Sequence, residues 1–201
     1  MPTWVDGIWS GYNLGTPQTA TDYLTVTGWA RSTPSQSTRS ASRLYTNLTT
    51  VGNTATTVAE DLHTFLLSRN VLTTNGDAIR IRTFLQTAAN GNSKAFTVVF
   101  GGTVVITTTS QTFNNVAFPV DVWIFRTGAA TQKAIGYGLQ PNVNAAWSVA
   151  AGGGFNPTTP GETLSGDVAI RITGQSPVAG AANDCTVLAT IVDYIPGTAP
   201  V

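Results

Sequence analysis

Charged side chains are scarce in this 201-residue chain. Only 10% of its residues are charged, against roughly 25% in an average soluble protein. Ten basic and ten acidic residues give a formal net charge of zero. Without a long-range electrostatic field, the chain has no general attraction for nucleic acid or for an anionic membrane. We therefore expect neither as a partner.

Cysteine and histidine occur once each, as Cys185 and His63. One cysteine excludes an intramolecular disulfide, and two such residues are too few for a zinc site. Any Ser-His-Asp or Cys-His machinery would have to use His63, but the sequence contains no G-x-S-x-G motif. We predict a buried structural thiol at Cys185, no metal and no cofactor.

Long apolar runs and helix-forming residues are also in short supply. No stretch approaches the ~18 apolar residues that span a bilayer, and no basic segment followed by an apolar run begins the chain. We therefore expect synthesis in a cytoplasm without membrane insertion. About one residue in six is threonine, which favours pleated sheet. The composition predicts an all-β protein, long enough to bury about 70% of its unfolded surface.

Paired carboxylates could hydrolyse a glycosidic bond, but the acidic residues are poorly arranged for that chemistry. Asp77 and Asp167 each follow a glycine in a turn, where we expect them to bind local backbone. Glu60 and Asp61 are adjacent, so they point to opposite faces of any strand. Glu162, in a loop rich in proline and glycine, is the acid to test first. We predict that the protein is not an enzyme.

The stretch from residue 75 to residue 126 reads as an antiparallel meander. Asn75, Gly76 and Asp77 form a turn signal, and residues 79–84 then alternate with a period of two. Residues 95–100 and 103–109 are further strand-like runs, joined by a Gly-Gly pair that permits a tight hairpin. Residues 58–67 fit either a strand or a short helical turn, because part of that run has helical spacing.

Several motifs in and after this stretch carry a resemblance. They are GD-x-I-R-I-R at 76–82, A-x-N-x-N-x-K at 88–94, V-x-F-G-G-T-x-V at 98–105, a bulky strand at 120–126 and A-x-N-D at 181–184. Together they resemble a β-jelly-roll domain common in tailed-phage virion proteins, over residues 44–196. The resemblance implies an antiparallel jelly-roll sandwich, usually trimeric, in a capsid decoration (cement) protein, a head fibre or a piece of a tail fibre. The resemblance also favours a strand over a helical turn for residues 58–67.

The first 42 residues differ from the rest, and we predict two parts: an N-terminal arm, 1–42, and a jelly-roll domain, 43–201. The arm is aromatic but poor in aliphatic residues, so it should bury its rings against something else. The candidates for docking on a capsid or on trimer neighbours are Trp4, Trp9, Tyr12, Tyr23 and Trp29. A plain strand layer beneath the jelly roll is the alternative.

Residues 118–126 form a strand with two apolar faces. Val120, Val122 and Ile124 share one face, whereas Asp121, Trp123 and Phe125 share the other. A strand covered on both sides belongs in a sandwich on one face and in a subunit contact or under a loop on the other. We predict that Trp123 and Phe125 contact another copy in a homotrimer.

The arginines allow two interpretations. They could line one face as a contact for an anion or a sugar, or they could pair across strands with Asp77, Asp121 or Asp167, which is the more usual arrangement. The residues concerned are Arg80, Arg82, Arg126 and Arg171.

Taken with the resemblance, these features predict a non-enzymatic structural protein of a bacteriophage virion. The expected role is a decoration protein that binds the major capsid protein on the outer surface of the head as a trimer and stabilises coat subunits. The alternative is the receptor-binding tip of a tail fibre or spike, which would bind a host glycan through the loops at 110–115 or 152–161.

Overall fold

The computed structural model describes residues 41–108, 110, 112, 114–138, 157–177 and 180–197, together with short strands at 3–5, 8–10 and 147–148. The chain divides into two compact units, Met1–Arg39 and Ser40–Val201. In the first unit, β1 (Thr3–Val5) and β2 (Ile8–Ser10) form an antiparallel hairpin whose register pairs Trp4 with Trp9. The side chains of both tryptophans, and the predicted docking residues Tyr12, Tyr23 and Trp29, lie outside what the structure describes.

The second unit consists of two antiparallel sheets. The first sheet has the strand order β10-β9-β6-β13-β3, with β4 also paired to β13, and the second has the order β11-β8-β7-β12-β5. The strands are β3 (Ser42–Asn47), β4 (Val51–Gly52), β5 (Glu60–Leu67), β6 (Ala78–Thr87), β7 (Ala95–Phe100), β8 (Thr103–Thr108), β9 (Ala117–Gly128), β10 (Thr131–Gly138), β11 (Trp147–Ser148), β12 (Val168–Gln175) and β13 (Cys185–Ile195). Nowhere in the described part of the chain is there a helix long and apolar enough to span a membrane.

The strand order is that of a jelly roll. The run β3-β13-β6-β9 in one sheet faces β5-β12-β7-β8 in the other, so the chain crosses between the sheets as it passes from β5 to β6 and from β12 to β13. Two four-stranded antiparallel sheets connected in this way define the jelly-roll sandwich, and β10 and β11 extend its two sheets. The predicted all-β jelly-roll fold is confirmed.

The core lies between the two sheets, and the period of two in the strands creates it. Ile79 and Ile81 of β6 and Ile170 and Ile172 of β12 are all 0% exposed. Apolar area buried in this way contributes roughly 25 cal/mol per Å². Phe96 of β7 and Phe118 of β9 meet edge to face across the sandwich, with ring centroids 5.9 Å apart.

Local predictions were mostly confirmed. Gly76 and Gly101 have φ values of 91° and 58°, as turns at these positions require. Residues 60–67 form a strand and not a helical turn. Strand β12 begins at Val168, directly after a turn that is closed by a 3.1 Å hydrogen bond from Gly166 N to Thr163 O.

Candidate functional site: the aromatic face of the first sheet

The outer surface of the first sheet carries a group of large aromatic side chains. Alternation along β6, β9 and β10 sends residues such as Ile81 and Ile124 into the core, so the intervening residues point outwards. Phe84, Phe125 and Tyr137 are 43%, 37% and 40% exposed, and Trp123 is half-buried. We call Phe84, Trp123, Phe125 and Tyr137 the aromatic face.

Trp123 has two neighbours on this face that contact its ring. Its ring centroid lies 5.8 Å from that of Phe125, with only 10° between the ring planes. Arg80, directly opposite on β6, places its guanidinium carbon 5.0 Å from the indole centroid. A cation over an aromatic ring contributes about 0.5–1 kcal/mol at exposed sites. The structure therefore places both predicted trimer-contact residues, Trp123 and Phe125, side by side on an outward surface.

Ion pairs run through the aromatic face. Arg80 Nε donates to both carboxylate oxygens of Asp121, at 3.0 and 2.9 Å, and its Nη2 also pairs with this carboxylate. These hydrogen bonds raise the pKa of Arg80. Asp193 accepts hydrogen bonds from Arg43 at 2.7 Å and from Arg82 at 3.2 Å. Burial opposes ionisation of Asp193, but the two arginines outweigh it and hold its pKa below the ordinary value. Both carboxylates of this face are therefore paired with arginines of the same protomer.

Cross-strand pairing was the better interpretation of the arginines, although two partners were not foreseen. Arg80 pairs with Asp121 as predicted, whereas Arg82 pairs with Asp193 and Arg171 lies 3.7 Å from Asp61. The other two predicted acids bind backbone instead: Asp167 accepts Arg69 N at 2.7 Å, and Asp77 accepts the N–H groups of Thr73 and Thr74. The fourth arginine, Arg126, donates to the carbonyl of Gly128.

Two hollows open on the same surface. One has a volume of about 130 Å³ and is lined by Arg82, Phe84, Pro119, Val120, Asp121 and Tyr137. The other has a volume of about 300 Å³ and is lined by Ala41, Ser42, Arg43, Arg80, Asp193 and Ile195. An apolar cavity of roughly 150 Å³ holds one benzene molecule, so the smaller hollow has room for one apolar side chain or one small ring.

Sequence reasoning missed Phe84 and Tyr137 as members of this site. Phe84 follows Arg80 and Arg82 at the same alternating positions of β6, and that signal was present in the sequence. Tyr137 is placed beside Asp121 only by the pairing of β10 with β9, so it could not be located before the register was known.

Two of the motifs that carried the resemblance, at 88–94 and 181–184, meet at a different place, inside the protein. Asp184 accepts hydrogen bonds from Asn90 Nδ2 at 2.6 Å, from Asn92 Nδ2 at 2.9 Å and from Ala181 N at 3.1 Å. Lys94 Nζ donates to Asn90 O, Asn90 Oδ1 and Asn92 O, at 2.8 to 2.9 Å. Asp184 and Lys94 are both 0% exposed. We call Asn90, Asn92, Lys94 and Asp184 the polar node.

The polar node holds two loops of the protein together. Burial penalises the charge of Asp184, but hydrogen bonds from Asn90 and Asn92 outweigh this penalty and lower its pKa. Burial also lowers the pKa of Lys94, an effect that the nearby charge of Asp184 opposes. Because the node joins the loop at 88–94 to the loop at 181–184, its sequence motifs specify the fold and say nothing of a ligand.

His63 and Cys185 have structural surroundings. His63 is 2% exposed, and its Nε2 lies 2.8 Å from the carbonyl of Thr49, which can only accept, so Nε2 carries the proton. In the neutral ring, Nδ1 then accepts from the Thr190 hydroxyl, 2.8 Å away. Burial lowers the pKa of His63. Cys185 is 0% exposed and burial raises the pKa of its thiol to about 11, which confirms the predicted buried thiol.

Glu162 supports a turn. One carboxylate oxygen accepts a 2.7 Å hydrogen bond from Gly102 N, and a Cβ atom at Gly101 would lie 2.0 Å from the Glu162 carboxyl carbon. The carboxylate therefore caps the hairpin between β7 and β8 at a point where only glycine fits. Among the residues that the structure describes, no group of three or more His, Cys, Asp or Glu side chains could hold a metal ion.

Comparisons with known proteins give little beyond this geometry. No protein-family model matches the chain, and no curated protein matches it. Among solved structures, the chain is similar to the CBM2 module of the evolved Dit of Lactobacillus casei BL23 phage J-1. The TM-score is 0.36 and the identity 7%, over 68% of this chain and 70% of that chain. A similarity this low carries no argument, so the fold assignment stands on the strand order.

Proposed function

We propose that this chain is a non-enzymatic structural protein of a tailed-phage virion, and specifically a capsid decoration protein that stabilises coat subunits on the outer head surface as a trimer. The observation that carries the proposal is a jelly roll presenting Trp, Phe, Tyr and Arg on one sheet face. These residue types dominate the energetics of protein–protein interfaces. The resemblance of the sequence motifs to phage jelly rolls supplies the class of particle.

The state of the reactive side chains supports a structural role. His63, Cys185 and Glu162 are each engaged in contacts that hold the sandwich or its turns together. A catalytic acid or nucleophile needs an accessible position and a neighbour that activates it. In the described residues these three groups lack that arrangement, so binding is the function we propose.

In this proposal, two surfaces bind two different partners. Trp123 and Phe125 contact a neighbouring copy, while residues 1–42 dock on the major capsid protein. Apolar area buried by the arm contributes about 25 cal/mol per Å². Three arms on one trimer add avidity, because the second and third bind at high effective concentration. Trp4 and Trp9, paired in the β1–β2 hairpin, are the first residues to change.

Incorporation into particles tests this proposal. With Trp4→Ala and Trp9→Ala combined, we expect a protein that stays folded and trimeric but is missing from virions, whose heads then break more readily. A matched control, Thr46→Ala with Thr64→Ala, changes two exposed residues of the jelly roll and should be incorporated normally. Normal incorporation of the tryptophan variant would contradict the docking role of the arm.

A receptor-binding tip of a tail fibre or spike is the second candidate, and one observation favours it. The 130 Å³ hollow has aromatic walls, Phe84 and Tyr137, with Arg82 and Asp121 beside them, a composition that suits a small ligand such as a sugar ring. The face of Trp123 is covered by Arg80, which leaves less flat aromatic surface for stacking a glycan. Of the predicted glycan loops, residues 111, 113 and 152–156 lie outside the described part.

Imaging and adsorption separate the two candidates. Density at coat-subunit junctions of the head supports the decoration role. Density at the tail, together with loss of host adsorption by a Tyr137→Ala variant whose heads are unchanged, would replace it with the receptor-binding role.

A further inference from the structure

Two ion pairs of the aromatic face join diagonal neighbours, although Arg80 and Arg82 each have an acid directly beside them. In the strand register, Asp193 of β13 is directly opposite Arg80, and Asp121 of β9 is directly opposite Arg82. Directly opposite side chains have Cβ atoms about 4.5–5.5 Å apart, whereas diagonal neighbours are about 7–8 Å apart. Arg80 nevertheless pairs with Asp121, and Arg82 pairs with Asp193. The two arginines have therefore exchanged the partners that the register offers, and we call this the crossed pairing.

The crossed pairing satisfies Arg80 well and Arg82 poorly. Arg80 Nε donates to Asp121 at 3.0 and 2.9 Å, and in this position the guanidinium carbon lies 5.0 Å from the Trp123 ring centroid. Arg82 donates to Asp193 from Nη2 at 3.2 Å, but its Nε is buried and has no hydrogen-bond partner among the described residues. Buried donors are nearly always bonded. The unpaired Nε therefore favours a second position for the Arg82 side chain.

The space for a direct pairing is already present on this face. The hollow of about 130 Å³ is lined by both Arg82 and Asp121, and the hollow of about 300 Å³ is lined by both Arg80 and Asp193. Asp193 binds Arg43 through Oδ1 and Arg82 through Oδ2, so Arg80 can occupy Oδ2 once Arg82 leaves it. The exchange replaces two ion pairs with two others and keeps the third, between Arg43 and Asp193. Both arrangements therefore pair every carboxylate of the face.

We propose that these ion pairs form a switch with two arrangements, which controls access to Trp123. In the crossed pairing, Arg80 covers the indole ring. In the direct pairing, Arg80 moves to Asp193 and opens the ring to a neighbouring copy, while Arg82 takes the vacated carboxylate of Asp121. A copy that packs on the open ring shifts the equilibrium towards the direct pairing, as for other interfaces whose salt bridges have two discrete arrangements. This inference rests on the proposed trimer and deepens it, because it names the movement that makes Trp123 available.

Two isosteric variants of the full-length chain test the switch, because each removes one negative charge from the same face. Asp121→Asn removes the anchor of the crossed pairing, so Arg80 should move to Asp193 and uncover the ring. Trimer association should then become about two- to fivefold tighter per contact, which corresponds to the ~0.5–1 kcal/mol of a cation–π contact. Asp193→Asn removes the acceptor that Arg80 needs in the direct pairing, so association should weaken by a similar factor. Sedimentation equilibrium measures both changes.

A control variant and a second readout accompany this measurement. Asp61→Asn removes a carboxylate that pairs with Arg171 on the second sheet, so it should leave association unchanged. In a crystal structure of the trimeric wild type, Arg80 should lie on Asp193, with the neighbouring copy against Trp123. If the wild type is monomeric, the same movement of Arg80 should appear in the structure of the monomeric Asp121→Asn variant. Urea denaturation shows whether each variant is folded.

The outcomes separate this inference from the proposed function. A wild type that is monomeric at every concentration removes the trimer, and the switch is then overturned if Arg80 still covers Trp123 in the Asp121→Asn structure. If the wild type is trimeric and both asparagine variants change association in the same direction, the net charge of the face explains the effect. That result overturns the switch and leaves the trimer standing. A wild-type trimer in which Arg80 still covers Trp123 overturns the switch as well.

Discussion

The polar node and the aromatic face are the two most distinctive regions of this protein, and they differ in almost every physical respect. In the node, Asp184 and Lys94 are fully buried and bound by neighbouring amides and carbonyls. On the aromatic face, rings are about two-fifths exposed, and the charges are paired at the surface. Two of the recognised motifs, at 88–94 and 181–184, meet at the node. Two others, at 76–82 and 120–126, supply Arg80, Trp123 and Phe125 to the face.

The difference separates a region that holds loops together from a surface that we propose binds a partner. Removing one member of a buried charged cluster leaves the other charge without compensation, which strongly destabilises the folded protein. Removing an exposed ring costs little in the isolated protomer but removes area from a contact. Changes in the node should therefore alter folding, and changes on the face should alter assembly. Four predictions test this distinction.

The largest effect is expected from Asp184→Ala. Loss of the carboxylate leaves the charge of Lys94 buried without its acidic neighbour and removes the acceptor of Asn90 and Asn92. The free energy of unfolding should therefore fall by about 3–5 kcal/mol. Urea denaturation of the purified chain measures this. Asp167→Ala is the control, because Asp167 is exposed and accepts one backbone N–H, at a cost of about 1 kcal/mol. If both variants lost the same amount of unfolding free energy, the node would contribute no more stability than an exposed hydrogen bond, which contradicts the prediction.

Trp123→Ala should act mainly on assembly. We expect trimer association to weaken by at least about 2 kcal/mol per contact, roughly 30-fold, as for an interface hot spot. The unfolding free energy of the protomer should change by about 1 kcal/mol, the size of a lost cation–π contact. Sedimentation equilibrium and urea denaturation together make the comparison. Thr97→Ala, on the second sheet, is the control; a Trp123 variant that unfolds easily but associates normally contradicts the distinction.

Asn92→Ala tests the node more gently. Its side chain donates one hydrogen bond to Asp184, and such a bond to a charged group contributes about 1.5–3 kcal/mol. Asn90 also accepts from Lys94, so Asn90→Ala should cost more. Thermal unfolding of both variants should give this order. The reverse order would show that the contact between Asn90 and Lys94 adds no stability.

The smallest effect is a pH dependence that arises from His63. Burial lowers its pKa in the folded protein, so the unfolded chain takes up a proton first as the pH falls below about 6.5. The stability that this shift contributes is therefore complete above that pH and is lost as the pH falls towards the lower pKa of the folded state. Unfolding free energies at pH 7, 6 and 5 should show this decline in the wild type and not in His63→Gln. An increase in stability on acidification would contradict the assignment.

Much of the fold could be predicted from local signals. Alternation placed Ile79 and Val122 in the core, glycines marked the turns at Gly76 and Gly101, and the two apolar faces of β9 pointed to an outward-facing Trp123. These features depend on a few neighbouring residues. Period and turn chemistry are enough to reveal them.

The remaining contacts depend on the register between strands that are distant in sequence, which local sequence patterns do not reveal. Asn90 meets Asp184 across 94 residues, and Asp193 meets Arg43 across 150. Only the pairing of β13 with β3 and β6 selects Asp193 over the acids that the sequence suggested. A one-residue slip would turn each of these side chains to the other face. Polar contacts between distant strands are therefore the part that sequence reasoning could not supply.

The single thiol of the chain provides a way to measure how often the β-sandwich opens. Cys185 is inaccessible, adjoins Asp184, and has a pKa near 11, so a thiol-reactive dye can label it only while the sandwich is open. The labelling rate under native conditions then reports how often the end of β13 separates from its neighbours. The same labelling can be carried out on the particles in which we propose that the protein is assembled, without changing a residue, and slower labelling there would measure how firmly the protein is held in place.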